Sequence, residues 1–256
     1  MHLRKAAIST GFISPDRAGK EPALAFDISN PLTNHLLASL PRPVFRELST
    51  SLKLVSLKQG VELFQPGDEV EHVYFPHDGM ISLLAVMKDG RAIETATIGS
   101  EGGVGIMAGV GIHISRVRAA VQLPLVASQI SAAAFRHAVQ SSILLRSLVA
   151  HTTDKILAQV QITAACNALH SIEARLARWI LQSNDRARGT KIPLTQELLS
   201  QMLGVTRSSI SEIATKLQAT HFIRYTRGNI EIVDRVALEK VACECYAEIR
   251  KISHEA

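Results

Sequence analysis

The feature that most constrains this chain is a change of hydrophobic period near residue 130. Before it, short apolar runs alternate with turn signals: Lys58-Gln59-Gly60, Gln65-Pro66-Gly67-Asp68, Pro76-His77-Asp78-Gly79 and Lys88-Asp89-Gly90. That spacing predicts short strands joined by hairpins, hence a compact antiparallel β barrel or sandwich over roughly 50–128. After it, Ile130 to Leu181 contains no glycine, and apolar residues recur at Leu145, Val149, Ile156 and Val160. A run of that length without a breaker predicts a long helix. Strands first and helices afterwards make the chain α+β.

The helical stripe at 145, 149, 152, 156, 159 and 163 reads Leu, Val, Thr, Ile, Gln, Thr. Its spacing suits a coiled coil, and its polar members suit a helix packed on its own domain equally well. If two copies pair, the candidate interface is Leu145, Val149, Thr152, Ile156, Val160 and Thr163. Near Asn167 to His170 the stripe changes face, and Ile172, Leu176, Trp179 and Ile180 begin a new amphipathic helix. A hinge is expected between the two.

After the polar connector Asn184 to Thr190, Thr195 can cap a helix whose apolar face is Leu198, Leu199 and Met202, with Gly204 supplying the left-handed turn that ends it. Thr206 caps the next helix, with Ile210, Ile213, Ala214 and Leu217 facing inward. Two short helices about a glycine turn make a helix-turn-helix. The outer side of the second carries Arg207, Ser208, Ser211 and Glu212, which can reach base edges or phosphates. His221 to Tyr225 and Asn229 to Val233 then flank Thr226-Arg227-Gly228, a hairpin with a basic tip and so a wing. Charge agrees: residues 36–135 sum to −1, whereas 190–230 hold five basic side chains against Glu197 and Glu212, out of a net +5. A localised basic surface suits an acidic polymer such as DNA.

This order of parts resembles the Crp/Fnr family of bacterial transcription regulators, over roughly residues 36–250. The resemblance is most specific at Leu-Thr-Gln-Glu, Leu-Gly-Val-Thr-Arg and Ile-Arg-Tyr-Thr-Arg-Gly-Asn-Ile-Glu-Ile, between Leu194 and Val233. It implies an N-terminal antiparallel β-roll of the cyclic-nucleotide-binding type, a long dimerisation helix and a C-terminal winged helix-turn-helix. The corresponding bounds are a loose extension at 1–35, the sensor at 36–140, the helix and hinge at 141–169 and the reader at 170–256. It further implies a homodimer on a two-fold-related DNA operator, with RNA polymerase as a further partner. Arg207, Ser208 and Glu212 fall on the family's base-contacting positions, while Thr195, Gln196, Thr206, Ser209 and Arg227 are the expected phosphate contacts.

In cyclic-nucleotide members of the family a Gly-Glu pair holds the ribose and an Arg-Ser pair holds the phosphate. Here the matching positions read Gly102-Gly103 and His113-Ile114, so the carboxylate acceptor and the cation are both missing. A shifted alignment recruits Glu101 with Arg116 or Arg118. The expectation is an altered pocket, with no cyclic nucleotide bound and the effector unknown. Residues 1–165 contain no cysteine, which argues against the iron–sulfur cluster of the family's oxygen sensors. The three cysteines, Cys166, Cys243 and Cys245, lack the paired spacing of a structural zinc site and are expected to be small packing residues in a reducing cytoplasm. His72, His77 and His113 are lone histidines, and no metal is assigned. The longest uncharged stretch, Ala119 to Phe135, is broken by Pro124 and predicts no membrane span. No catalytic constellation with usable spacing is visible, so a regulator is expected and an enzyme is not. The competing expectation is a constitutive DNA-binding protein whose β domain serves only dimerisation and polymerase contact.

Overall fold

The computed structural model describes residues 34–187 and 190–254. The extension expected at 1–35 lies outside the described residues up to position 33, as does Gly189 of the connector. Two short helices, α1 (His35–Ala38) and α2 (Arg42–Ser49), lead into strands β1 (Lys53–Leu57), β2 (Glu62–Phe64), β3 (His72–Val86), β4 (Ala92–Ile98) and β5 (Arg118–Ser131). They form one antiparallel sheet in the order β1-β5-β3-β4, with β2 also paired to β5.

The turn expected at Pro76 to Gly79 is not a turn. Those residues lie inside β3, where the register against β5 slips between Pro76 and Asp78 and again between Asp78 and Met80. Proline has no N–H to offer the ladder, and a bulge absorbs the missing bond without ending the strand. Gly79, at φ +85°, lets β5 close over this bulge: a Cβ there would sit 2.2 Å from the Pro124 carbonyl oxygen.

The glycine-free run is three helices, α3 (Ala132–Ser141), α4 (Ile143–Leu169) and α5 (Ile172–Arg186). Serine does the punctuating. The Ser142 hydroxyl accepts from the Leu145 N–H at 3.3 Å and that of Ser171 from the Ala174 N–H at 3.3 Å, so each serine starts a helix by capping it. The change of helix expected near Asn167 to His170 falls at the second of these breaks.

The α4 stripe turns toward its own chain. Leu145 and Val149 share a core with Phe75, Ile130 and Phe135, Thr152 and Thr163 are buried, and the Gln159 side-chain oxygen accepts the Thr97 N–H at 2.8 Å. Of the residues expected to pair two copies, Leu145, Val149, Thr152 and Thr163 are therefore covered within the single chain, and Ile156 and Val160 are half-buried. Helical spacing reports that a stripe is covered but not by what.

Beyond α5 come β6 (Lys191–Pro193), α6 (Gln196–Leu203), α7 (Arg207–Ala219), β7 (Ile223–Thr226), β8 (Asn229–Ile232), α8 (Arg235–Val241) and α9 (Cys245–His254). The hairpin gains a third strand that the sequence did not announce, in the order β6-β8-β7. Leu176, Trp179 and Ile180 of α5 pack on Leu199, Leu203 and Ile210 on one side and on Met80, Leu84 and Leu123 of the large sheet on the other. The large sheet and the helix-turn-helix thus share a core. The three cysteines also come together, since Cys166 at the end of α4 lies 3.5 Å from Cys243, sulfur to sulfur. They are one buried group rather than scattered packing residues.

At the centre of the shared core, the Trp179 Nε1–H donates to Glu94 Oε1 at 2.7 Å and the Ser82 hydroxyl to Oε2 at 2.5 Å. Burial pushes the Glu94 carboxyl from its ordinary 4.5 up to about 7, against the pull of those two bonds and of the Arg178 and Arg186 charges. The unfolded chain then releases this proton at lower pH than the folded one. The Glu94 contribution is fully present below 4.5, falls as pH rises from 4.5 to about 7, and is level above that. Its size is on the order of 3 kcal/mol. Glu94→Gln keeps an acceptor for Trp179, so melting temperatures across this range should fall less steeply for the variant than for the parent; parallel curves would refute the assignment.

Candidate nucleic-acid interface and sensor cavity

The helix-turn-helix forms for the local reasons its sequence contains. The Thr195 hydroxyl accepts the Leu198 N–H at 3.2 Å, Gly204 turns left-handed at φ 64°, and the Thr206 hydroxyl accepts the Ser209 N–H at 3.3 Å. Ile210, Ala214 and Leu217 are buried, which leaves Arg207, Ser208 and Glu212 on the exposed side of α7. Ser211 is half-buried against α6, where it accepts from the Gln196 amide at 3.4 Å. The hydroxyls of Ser208 and Ser209 each meet that of Thr206 at 2.9 Å, so the start of α7 is a compact hydroxyl cluster.

Arg207 rests on Glu197 of α6 at 3.0 Å, with both side chains about two-thirds exposed. An exposed pair of this kind is worth ~0.2–1 kcal/mol and exchanges readily for a stronger contact. Lys216 is held by Glu173 at 2.7 Å and Arg224 by Glu231 at 3.0 Å. Arg227 is exposed and makes no ion pair among the described residues. It stands at φ 50° beside Gly228 at φ 77°, the two positive angles of a two-residue turn that matches the twist of its strands. The Tyr225 N–H donates to the Gln218 side chain at 2.8 Å, which fixes the wing to α7; no pattern in the sequence pointed to that bond.

The expected effector residues do not form one site. Glu101 is half-buried in an ion pair with Arg186 of α5, and its oxygen also accepts the Gly99 N–H at 3.0 Å. Burial alone would raise its carboxyl, but the Arg186 charge, the Arg186 hydrogen bond and the Glu101 and Gly99 backbone N–H groups together hold the group below the usual range. Gly102 and Gly103 are packing positions: a Cβ would come within 3.1 Å of Ile98 at the first and 2.9 Å of Ile106 at the second. Arg118 points to Glu62 at 3.3 Å and Gln65 at 3.0 Å, and His113 is exposed with its Nδ1 on the Gly111 carbonyl at 2.9 Å. A cavity of about 240 Å³ opens beside these loops, under Thr153 and Ile156 of α4. Only Gly103 and Arg116 of the expected set line it, with mostly apolar neighbours such as Phe64, Ile112 and Ile114. His77 lies on the Ser128 hydroxyl at 2.8 Å and His72 against Tyr74, so the lone histidines do not converge.

Residues 54–142 match the cyclic nucleotide-binding domain family and residues 174–241 the Crp-like helix-turn-helix domain family. A comparison with curated proteins finds no match. Among solved structures, FixK2 from Bradyrhizobium japonicum is similar at TM-score 0.64 and 16% identity, covering 75% of this chain and 98% of that one. The c-di-GMP responsive global regulator CLP from Xanthomonas campestris gives 0.61 and 16%, over 75% and 99%. A CRP/FNR-family transcriptional regulator from Thermus thermophilus gives 0.60 and 20%, over 74% and 98%. Identities this low speak for the fold they share. The described residues contain no helix long and apolar enough to cross a membrane. A cyclic-nucleotide-binding-type domain followed by a Crp-like helix-turn-helix, on the fold of those regulators, places this chain in the Crp/Fnr family of DNA-binding transcription regulators.

Proposed function

We propose that this regulator acts in the cytoplasm as a homodimer on a two-fold-related operator, reading bases with Arg207, Ser208 and Glu212. The observation that carries this is the free face of α7, where these three side chains are exposed while Ile210, Ala214 and Leu217 anchor the helix. Thr195, Gln196, Thr206, Ser209 and Arg227 would hold phosphates on either side, Ser211 steadying Gln196. Once α7 enters a major groove, Arg207 can leave Glu197 for the two acceptors of a guanine. RNA polymerase would be the next partner of the bound dimer.

Pairing of two copies would use the face of α4 opposite the stripe spent on its own chain. Ile143, Ala150, Leu157 and Ala164 recur there every seven residues and are exposed, Ile143 by 69% and Leu157 by 52%. Val160, three residues beyond Leu157, flanks them. That repeat would supply one row of the seam of a two-stranded coil.

The sensor would respond to a small, largely apolar molecule with one anionic or hydrogen-bonding end at Arg116, seated in the 240 Å³ cavity under α4. A ligand there touches Thr153 and Ile156 directly and can shift the helix. The engagement of Glu101 by Arg186 favours a second reading, a regulator with no effector at all. Thermal shift against a metabolite panel separates the two, since only a ligand-binding sensor gains melting temperature.

Arg207→Ala should weaken binding to an operator selected from random DNA by about 5- to 150-fold, with non-specific binding retained. Arg227→Ala should weaken binding to all sequences alike and reduce the salt slope by about one. Unchanged affinity of the Arg207 variant in a gel-shift titration would sink the assignment of base readout. Leu157→Lys should turn a dimer into a folded monomer by light scattering; a dimer that survives it refutes the seam.

A further inference from the structure

The three cysteines converge with a histidine. Cys166 is on the last turns of α4, His170 caps that helix, Cys243 lies between α8 and α9, and Cys245, on the other side of Glu244, opens α9. One ligand atom from each of the four lies within 4.8 Å of the others. The Cys166 and Cys243 sulfurs are 3.5 Å apart, and Cys245 Sγ is 3.6 Å from His170 Nδ1. Around a tetrahedral zinc ion, with bonds of about 2.3 Å to sulfur and 2.0–2.1 Å to nitrogen, neighbouring ligand atoms stand about 3.8 Å (S to S) and about 3.6 Å (S to N) apart. The two observed separations are close to those values.

The surroundings are those of a metal centre as well. His170 Nε2 points to a Glu244 carboxylate oxygen at 3.2 Å, the outer hydrogen bond that fixes the tautomer of a ligating histidine and leaves Nδ1 free to bind. Three thiolates on a divalent ion leave a net charge of −1 in a buried place. Two buried guanidiniums of α5, Arg175 and Arg178, lie near enough for their charges to act on Cys166, and neither forms an ion pair with a carboxylate among the described residues. His170 is about one-quarter exposed and Glu244 three-quarters, which leaves a way in from solvent.

We propose that Cys166, His170, Cys243 and Cys245 form a tetrahedral zinc site that pins the end of α4 to the connection between α8 and α9. Four protein ligands close the coordination sphere, so the site is structural rather than catalytic. It lies at the break between α4 and α5 and ties the C-terminal helix to it. A disulfide between Cys166 and Cys243 would engage two of the four groups and give His170, Glu244 and Cys245 no part. The site is independent of how α7 reads DNA.

The test uses the full-length protein, made with zinc in the medium and purified under reducing conditions without chelator. Elemental analysis should find one zinc per chain, and the cobalt-substituted protein should show thiolate-to-cobalt charge transfer and the intense visible bands of tetrahedral geometry. His170→Cys should keep the metal and strengthen the charge-transfer band, and Cys243→Ser/Cys245→Ser should lose both metal and spectrum. Should the double variant fail to fold, the wild-type metal content and cobalt spectrum still decide. Metal-free protein with three reactive thiols, or with two of them locked in a disulfide, overturns the proposal.

Discussion

The structure depends on α5 being buried on nearly every side. Its Trp179 reaches into the sensor sheet to bond Glu94, its Leu176 and Ile180 support the helix-turn-helix, and its Arg186 neutralises Glu101. A carboxylate in an apolar core is tolerated only when its oxygens are bonded, and here Ser82 and Trp179 take one each. One hydrogen-bonded node therefore holds two domains in register, and the reader cannot move far without exposing or unpairing Glu94. That coupling is what a regulator needs if a change in the sensor is to be felt at α7.

The long helix α4 has two jobs on two faces. One is filled by Leu145, Val149 and Gln159 against the β domain, which fixes the helix direction; the other, along Ile143, Ala150, Leu157 and Ala164, is open. A helix held on one side by a β domain presents its second side at a set angle. The cavity beneath Thr153 and Ile156 sits under the same helix.

Much of the fold was legible because the signals are local. Caps at Thr195 and Thr206, the left-handed Gly204 and the Arg227-Gly228 turn act within a few residues, and each occurs where its sequence places it. The breaks in the glycine-free run were harder, because Ser142 and Ser171 resemble any serine until their hydroxyls are seen to cap a helix. Pro76 to Gly79 misled for the converse reason: turn residues also make bulges, and only the partner strand β5 decides which. Of the effector residues, Gly103 and Arg116 line the cavity, whereas Glu101 is taken by Arg186, 85 residues away in sequence.

By itself the sequence determined the order of parts and the exposed face of α7, since helical period, capping and turn chemistry are properties of neighbouring residues. The tertiary structure alone decided which side of α4 was already covered, that the large sheet and the helix-turn-helix share one core, and that Cys166, His170, Cys243 and Cys245 meet. The reason is distance along the chain. Cys166 and Cys243 are 77 residues apart, and no local pattern records that two helix ends will be brought side by side.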